Sequence, residues 1–247
     1  MFAGGPTDLA SSTLRACQQR LAATEAQLLS YAQDLRVLYQ VERAHREQIE
    51  QAYHSTLVAL SRALDLRDTE TEEHSLRVTD CALTIGRTLG LAPADLTALE
   101  LGAMLHDVGK IGIPDSILRK PGPLSAQEWG VMRRHPQLGY EILSAVDFLA
   151  SSLPVVLHHH EKWDGTGYPD GLSGEAIPLA ARIFAVADAF DAMTASRPYK
   201  SALPPEIAFE RLRADAGRHF DPRVVSAFLE AVGHPAAPPA SAALGRS

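Results

Sequence analysis

Cysteine is scarce in this chain. Cys17 and Cys81 are the only two in 247 residues. They form neither a disulfide framework nor a CxxC metal site, as expected of a protein kept in a reducing cytoplasm. Long apolar runs are missing as well: none approaches the roughly 18 residues of a membrane span. The N-terminal MFAGGPTDLA lacks the basic and apolar regions of a secretory leader. Positive charge is in deficit, with a formal net charge of −7. That argues against a DNA or RNA binder with a broad basic face, but a small phosphorylated ligand needs only a few local cations.

Proline and glycine are absent from residues 8–50, a stretch rich in Ala, Leu, Gln, Glu and Arg. Leu14, Leu21, Leu28 and Leu35 recur every seventh residue, with Cys17, Thr24, Tyr31 and Leu38 at the intervening positions. This is a coiled-coil-like seam, imperfect at Thr24 and where Glu42 and His45 continue it. Two readings follow: a dimeric coiled coil, or one amphipathic helix packed on its own domain. The narrow seam favours a homodimer through residues 1–50. Such a helix commonly relays a signal, expected here to arrive through a partner.

Val and Ile segments are short and do not alternate, so no sheet is expected. Residues 51–233 read as helix after helix, and the fold class is all-α. Tyr53, Leu57, Leu60 and Leu64 share one face of a helix continuing from the first segment. Val78, Leu83, Ile85 and Leu89 mark the next, stopped at Gly90. Pro93 and Asp95 open a helix carrying Leu96, Leu99, Met104 and Leu105, with Gly109 as its stop. Ser125 and Glu128 form a capping box, Pro136 suits a first helical turn, and Asp221-Pro222 reads as a cap and first residue. The first seven residues read as a flexible lead. Residues 234–247 form a flexible Pro/Ala-rich tail.

What the chain does contain is a set of metal-type side chains: Glu70, His74, His106, Asp107, His135, His159, His160 and Asp188. Five of its ten histidines belong to this set. Histidine and carboxylate suit iron, manganese and zinc, and a set this large points to more than one ion and to metal-assisted hydrolysis. Singly, most members are weak signals. Glu70 and His74, four apart, share a face if the helix runs through them, yet a solvated Glu/His pair is commoner. His106-Asp107 is sharper, because it follows the apolar Leu101–Leu105 and buried charge needs a partner or a metal.

The sequence LHDVGKIGIPD at residues 105–115 resembles the signature of the HD-domain metal-dependent phosphohydrolases. HHHEKWDGTGYPDGL at 158–172 resembles that of their HD-GYP branch, with Gly167-Tyr168-Pro169 as the name-giving triplet. RDTETEEHSLRV (67–78), RRHPQLGYEIL (133–143), VADAFDAMTASRPYK (186–200) and HFDPRVV (219–225) are similar to that branch too. The resemblance covers about residues 55–230. It implies an HD-domain helical bundle that hydrolyses the bacterial second messenger cyclic di-GMP to linear pGpG or GMP, with water activated at two or three metal ions, iron or manganese.

The resemblance also assigns roles. The eight residues above become metal ligands, with Asp107 bridging. Glu70 goes with the three-metal type. Lys110 matches a lysine that touches the scissile phosphate and so joins Asp107 as catalytic. Arg197 and Lys200 match substrate-contacting residues. Tyr168 offers a ring to guanine, and the loop around it has been linked to GGDEF-type cyclases. Asp191, one helical turn after Asp188, orients either a ligand or a phosphate-binding cation, or stabilises its helix. Three consecutive residues of a helix cannot all face one site; by the motif's register the ligands are His159 and His160, and His158 supports or packs beside them. Two alternatives stand beside this reading: hydrolysis of a related cyclic dinucleotide or nucleotide, and a non-catalytic module responding to cyclic di-GMP.

Overall fold

A computed structural model describes residues 6–65, 67, 74–195 and 202–234. Ten α-helices are seen there: α1 (Pro6–Asp65), α2 (His74–Thr88), α3 (Pro93–Leu105), α4 (Asp115–Leu118), α5 (Ala126–Met132), α6 (His135–Leu143), α7 (Leu153–His158), α8 (Leu179–Thr194), α9 (Pro205–Ala214) and α10 (Pro222–Ala231). Among the described residues there is no strand, only the isolated bridges Asp164–Ser173 and Ala216–Phe220. The all-α expectation holds. No described helix is long and apolar enough to cross a membrane.

By its contacts the chain divides between Thr56 and Leu57. The first unit is the helix α1 up to that point, with i,i+4 pairs such as Arg43–Glu47 at 2.9 Å and Glu42–Arg46 at 2.6 Å. Pairs this exposed are screened by solvent and add little to stability. The seam residues Leu14, Leu21, Leu28 and Leu35 are all exposed. α1 already includes Pro6 and Thr7, inside the expected lead; the rest of that lead and the Pro/Ala-rich tail beyond His234 lie outside the described residues.

The second unit is built around α3. Its Leu99 and Ala103 join a core of Val78, Ile85, Phe184 and Phe228 from α2, α8 and α10. Its Met104 and Leu105 join another of Leu57, Leu143, Leu149 and Val156. A helix covered on both sides has to be apolar around its circumference. That is why Leu99 to Leu105 reads as a near-continuous apolar run. Burying a side chain such as Phe184 is worth about 2–3 kcal/mol. The capping box at Ser125 and Glu128 forms, and Asp221 accepts from the Arg223 amide at 2.7 Å as the cap of α10.

The two helices read over residues 51–90 are present: α1 ends at Asp65, Arg67 lies in a turn, and α2 begins at His74. One helix-boundary expectation is corrected: Gly109 is not the stop of α3. That helix ends at Leu105 with His106 as its C-cap, and Gly109 sits inside a 3-10 turn, Val108–Gly112. Its lack of a side chain serves packing: a Cβ there would run into the backbone of His135 and Gly139.

Candidate metal centre

The metal-type residues come together at helix ends. His74 opens α2, His106 caps α3, His135 opens α6, and His159 caps α7 with His160 following it. Asp188 and Asp191 project from α8. The close approach at Gly109 presses the turn bearing Asp107 against the start of α6, which brings His135 to the His106-Asp107 pair.

Three of these histidines repeat one local geometry. Nδ1 donates to the carbonyl three residues earlier: His106 to Ala103 at 2.7 Å, His135 to Met132 at 2.8 Å, His159 to Val156 at 2.9 Å. A carbonyl can only accept, so each Nδ1 carries the hydrogen and, in the neutral ring, each Nε2 keeps its lone pair. Those Nε2 atoms converge on Asp107. His106 Nε2 lies 3.1 Å from Oδ2; His135 and His159 Nε2 lie 3.2 and 3.9 Å from Oδ1. His135 and His159 face each other, Nε2 to Nε2, at 3.1 Å. Two lone pairs so placed repel unless a proton or a cation lies between them.

His74 follows the same principle over a longer range. Its Nδ1 meets Asp191 Oδ2 at 2.6 Å, and its Nε2 lies 3.4 Å from Asp188 Oδ1. Arg77, one helical turn after His74, holds the other Asp191 oxygen at 2.6 Å. Asp191 therefore orients His74, as carboxylates commonly orient metal-binding histidines. His160 completes a triad: ligand atoms of His135, His159 and His160 all lie within 4.8 Å of one another.

Electrostatics sort these groups. Burial disfavours the His159 imidazolium, and its charged neighbours hold it well below the usual range. Burial, aided by His135, lowers His160 to about 3. Burial also opposes charge on His106, but the Asp107 carboxylate outweighs it and raises His106 to about 9. Burial works against the Asp107 carboxylate too, yet His106 and Lys110 keep it well below the carboxylate range. Lys110 Nζ sits 2.6 Å from Asp107 Oδ2. His159 and His160 are thus neutral and Asp107 ionised, the states that bind divalent metals, whereas on His106 a metal would have to displace a proton. The nitrogen and oxygen donors, tethered Nδ1 atoms and facing lone pairs all fit a metal centre.

Beside His159, His160 and Asp188 a cavity of roughly 170 Å³ extends to Lys162, His219 and Phe220. The Tyr168 ring stacks obliquely on His160 at 4.7 Å, and the Arg133 guanidinium lies 5.3 Å from that ring. Burial pushes the Tyr168 hydroxyl up to about 12, so it remains a donor. Gly167 is required beneath it, because a Cβ would strike the backbone of His160–Lys162. Glu70, Arg197 and Lys200 lie outside the described residues. His158 is drawn into a different group, with Glu161 and Asp170.

Sequence reasoning passed over several supports. Phe184 floors the centre, its ring 4.5 Å from His106 and 5.8 Å from His159. Its place one turn before Asp188 on α8 was the available signal. Arg67 donates to the carbonyls of Ile111 at 2.7 Å and Ile113 at 3.1 Å and pairs with Asp115 at 2.9 Å, steadying the turn that carries Lys110. Nothing local points to such a contact. Arg77 and Asp191 supply a test of positioning. Asp191→Ala leaves His74 Nδ1 without its acceptor, and manganese affinity measured by equilibrium dialysis is expected to fall about 10–100-fold. Unchanged affinity would remove Asp191 from this role.

Comparison with known proteins agrees with this architecture. The family model described as HD domain matches residues 58–224. Over 188 residues the chain is 47% identical to the cyclic di-GMP phosphodiesterase response regulator RpfG of Xanthomonas campestris, covering 75% of this chain and 50% of that protein. Over 173 residues it is 44% identical to a 3′3′-cGAMP-specific phosphodiesterase 2 of Vibrio cholerae, covering 69% and 33%. The chain thus spans half or less of these relatives. A solved cyclic GMP-AMP-specific phosphodiesterase of V. cholerae, V-cGAP3, superposes with a TM-score of 0.58 at 23% identity, over 73% of this chain and 48% of that one, which speaks to the fold.

Proposed function

Because this chain belongs to the HD domain family, in its HD-GYP branch, we propose that it is a metal-dependent phosphodiesterase that hydrolyses cyclic di-GMP to linear pGpG, GMP or both. The observation that carries the reading is the convergence of three tethered histidines on Asp107, with Lys110 at 2.6 Å from the same carboxylate.

The ligands would be His74, His106, Asp107, His135, His159, His160 and Asp188, with Glu70 as an eighth that favours three ions over two. Donors without sulfur suit iron or manganese. When bound, such ions lower the pKa of a coordinated water and offset phosphate charge. Everything else falls to the chain. The two Asp107 oxygens face different histidines, Oδ1 towards His135 and His159 and Oδ2 towards His106. This supports Asp107 as the carboxylate that two ions would share. Lys110 donates to the phosphate as negative charge develops on its oxygens. Arg197 and Lys200 bind phosphate or a guanine edge. Tyr168 presents its ring to a base, held by His160 and Arg133. Asp191, seated on His74 and Arg77, acts as a positioning residue. Water adds to phosphorus, the P–O3′ bond breaks, and the 3′ oxygen departs with a proton.

The catalytic unit in this reading is residues 51–233, joined to a helix over residues 1–50 that pairs with a second copy along its exposed leucine seam. The loop around Tyr168 meets a GGDEF-type cyclase, and the setting is the cytoplasm. Anaerobically purified, metal-loaded protein is expected to convert cyclic di-GMP to pGpG or GMP on chromatography; substrate left intact would overturn the assignment. The 44% identity to a 3′3′-cGAMP-specific enzyme supports a second reading, a mixed cyclic dinucleotide as substrate. Assaying both nucleotides side by side separates the two.

A further inference from the structure

His158 breaks the pattern of its neighbours. His106, His135 and His159 each spend Nδ1 on a carbonyl. The Nδ1 of His158 is buried and has no hydrogen-bond partner. Close to it stands Glu161, only 4% exposed. One carboxylate oxygen, Oε1, accepts from the backbone amides of Asp170 at 2.8 Å and Gly171 at 3.0 Å. The other, Oε2, is buried without a partner. Asp170 Oδ2 lies 3.7 Å from His158 Nδ1, too far for a hydrogen bond. Ligand atoms of the three residues lie within 4.8 Å of one another.

A buried carboxylate oxygen and a buried imidazole nitrogen, both unmatched and grouped with the Asp170 carboxylate, form an incomplete polar cluster. A proton shared between His158 and Asp170 would still leave Glu161 Oε2 unmatched. A divalent cation satisfies all three at once, and its charge offsets the two carboxylates. One nitrogen and two oxygens with a fourth position open is a donor set that zinc accepts. The amides on Glu161 Oε1 orient the carboxylate for this, as outer hydrogen bonds do around metal ligands.

We propose that His158, Glu161 and Asp170 bind one divalent cation of the zinc class, at a site built from other side chains than the candidate metal centre. The cation ties the end of α7 to the turn that follows Pro169, and so clamps both ends of the loop that lays Tyr168 on His160. The site does not depend on which nucleotide the protein hydrolyses.

Zinc itself is the probe, counted per chain by elemental analysis after equilibrium dialysis of the full chain. Asp170→Asn is the first variant, because that side chain is half exposed and the amide that holds Glu161 is untouched. His158→Gln is the second. Each is expected to hold one zinc fewer than the parent. The same loss of one is expected when Asp170→Asn is added to His106→Ala/Asp107→Ala, so a failure of the centre's assignment leaves this count unaffected. Zinc counts equal to the parent in both single variants would overturn the site.

Discussion

Replacing His106 and Asp107 together by alanine is expected to abolish hydrolysis of cyclic di-GMP while leaving the helical fold in place. Asp107 is the group on which His106, His135, His159 and Lys110 converge. In the proposed centre the ions would lose a shared ligand, and Lys110 loses the carboxylate 2.6 Å from its ammonium. Metal stabilisation of a phosphoryl transition state amounts to several kcal/mol, and each 1.36 kcal/mol is tenfold in rate. The loss should therefore be on the order of 1,000-fold or more. The double change is the cleaner one for folding. Asp107→Ala alone would leave the buried His106 ring without the carboxylate beside it. Removing His106 as well takes away that buried polar group, leaving a cavity against Phe184 that lowers stability by about 2–4 kcal/mol. Circular dichroism should show the same helix content with an earlier melt. Retained activity would sink the site; lost helix would mean that the pair is needed for folding.

Gly109→Ala should have the second largest effect, although Gly109 carries no chemistry. A methyl group there would fall on the backbone of His135 and Gly139, where no flexible side chain can yield. Either the 3-10 turn or the start of α6 must move. Overpacking of this kind costs about 1–3 kcal/mol, occasionally more. Displacement by even 1 Å pulls Asp107 away from His135, and misplacements of that size can lower rates about 100-fold. The variant should melt earlier and bind manganese more weakly than the parent. A melt and metal affinity equal to the parent's would show that this contact does not assemble the centre.

Much of the fold is legible along the chain because helices announce themselves locally. The capping box at Ser125 and Glu128 and the Asp221-Pro222 start of α10 are short-range hydrogen-bond chemistry, and both form where the residues predict. The apolar run into His106 marks α3 as a helix covered on two sides, which places the His-Asp pair at a buried end. The carbonyl tethers of His106, His135 and His159 span three residues each, so they too belong to local helix geometry.

Contacts distant in sequence are a different matter. Periodicity tells which face of a helix is buried but not what covers it. Asp191 was readable only as a neighbour of Asp188; that it would seat His74, 117 residues away, needed α2 and α8 to pack together. Phe184 draws no notice along the chain, and only the assembled helices make it the floor under His106 and His159. Gly109 read as a helix stop because glycine is a common one, whereas its use is an approach to a backbone that the sequence does not name.

By itself, then, the sequence determined the helices, their caps, the family and the cast of metal-type side chains, because each follows from neighbouring residues or from ordered motifs. Only the tertiary structure decided how they meet. It set the histidine nitrogens around one carboxylate, placed His158 in a group with Glu161 and Asp170, and gave Asp191 to His74. Those outcomes depend on where helix ends converge, and that is settled by packing across the whole second unit.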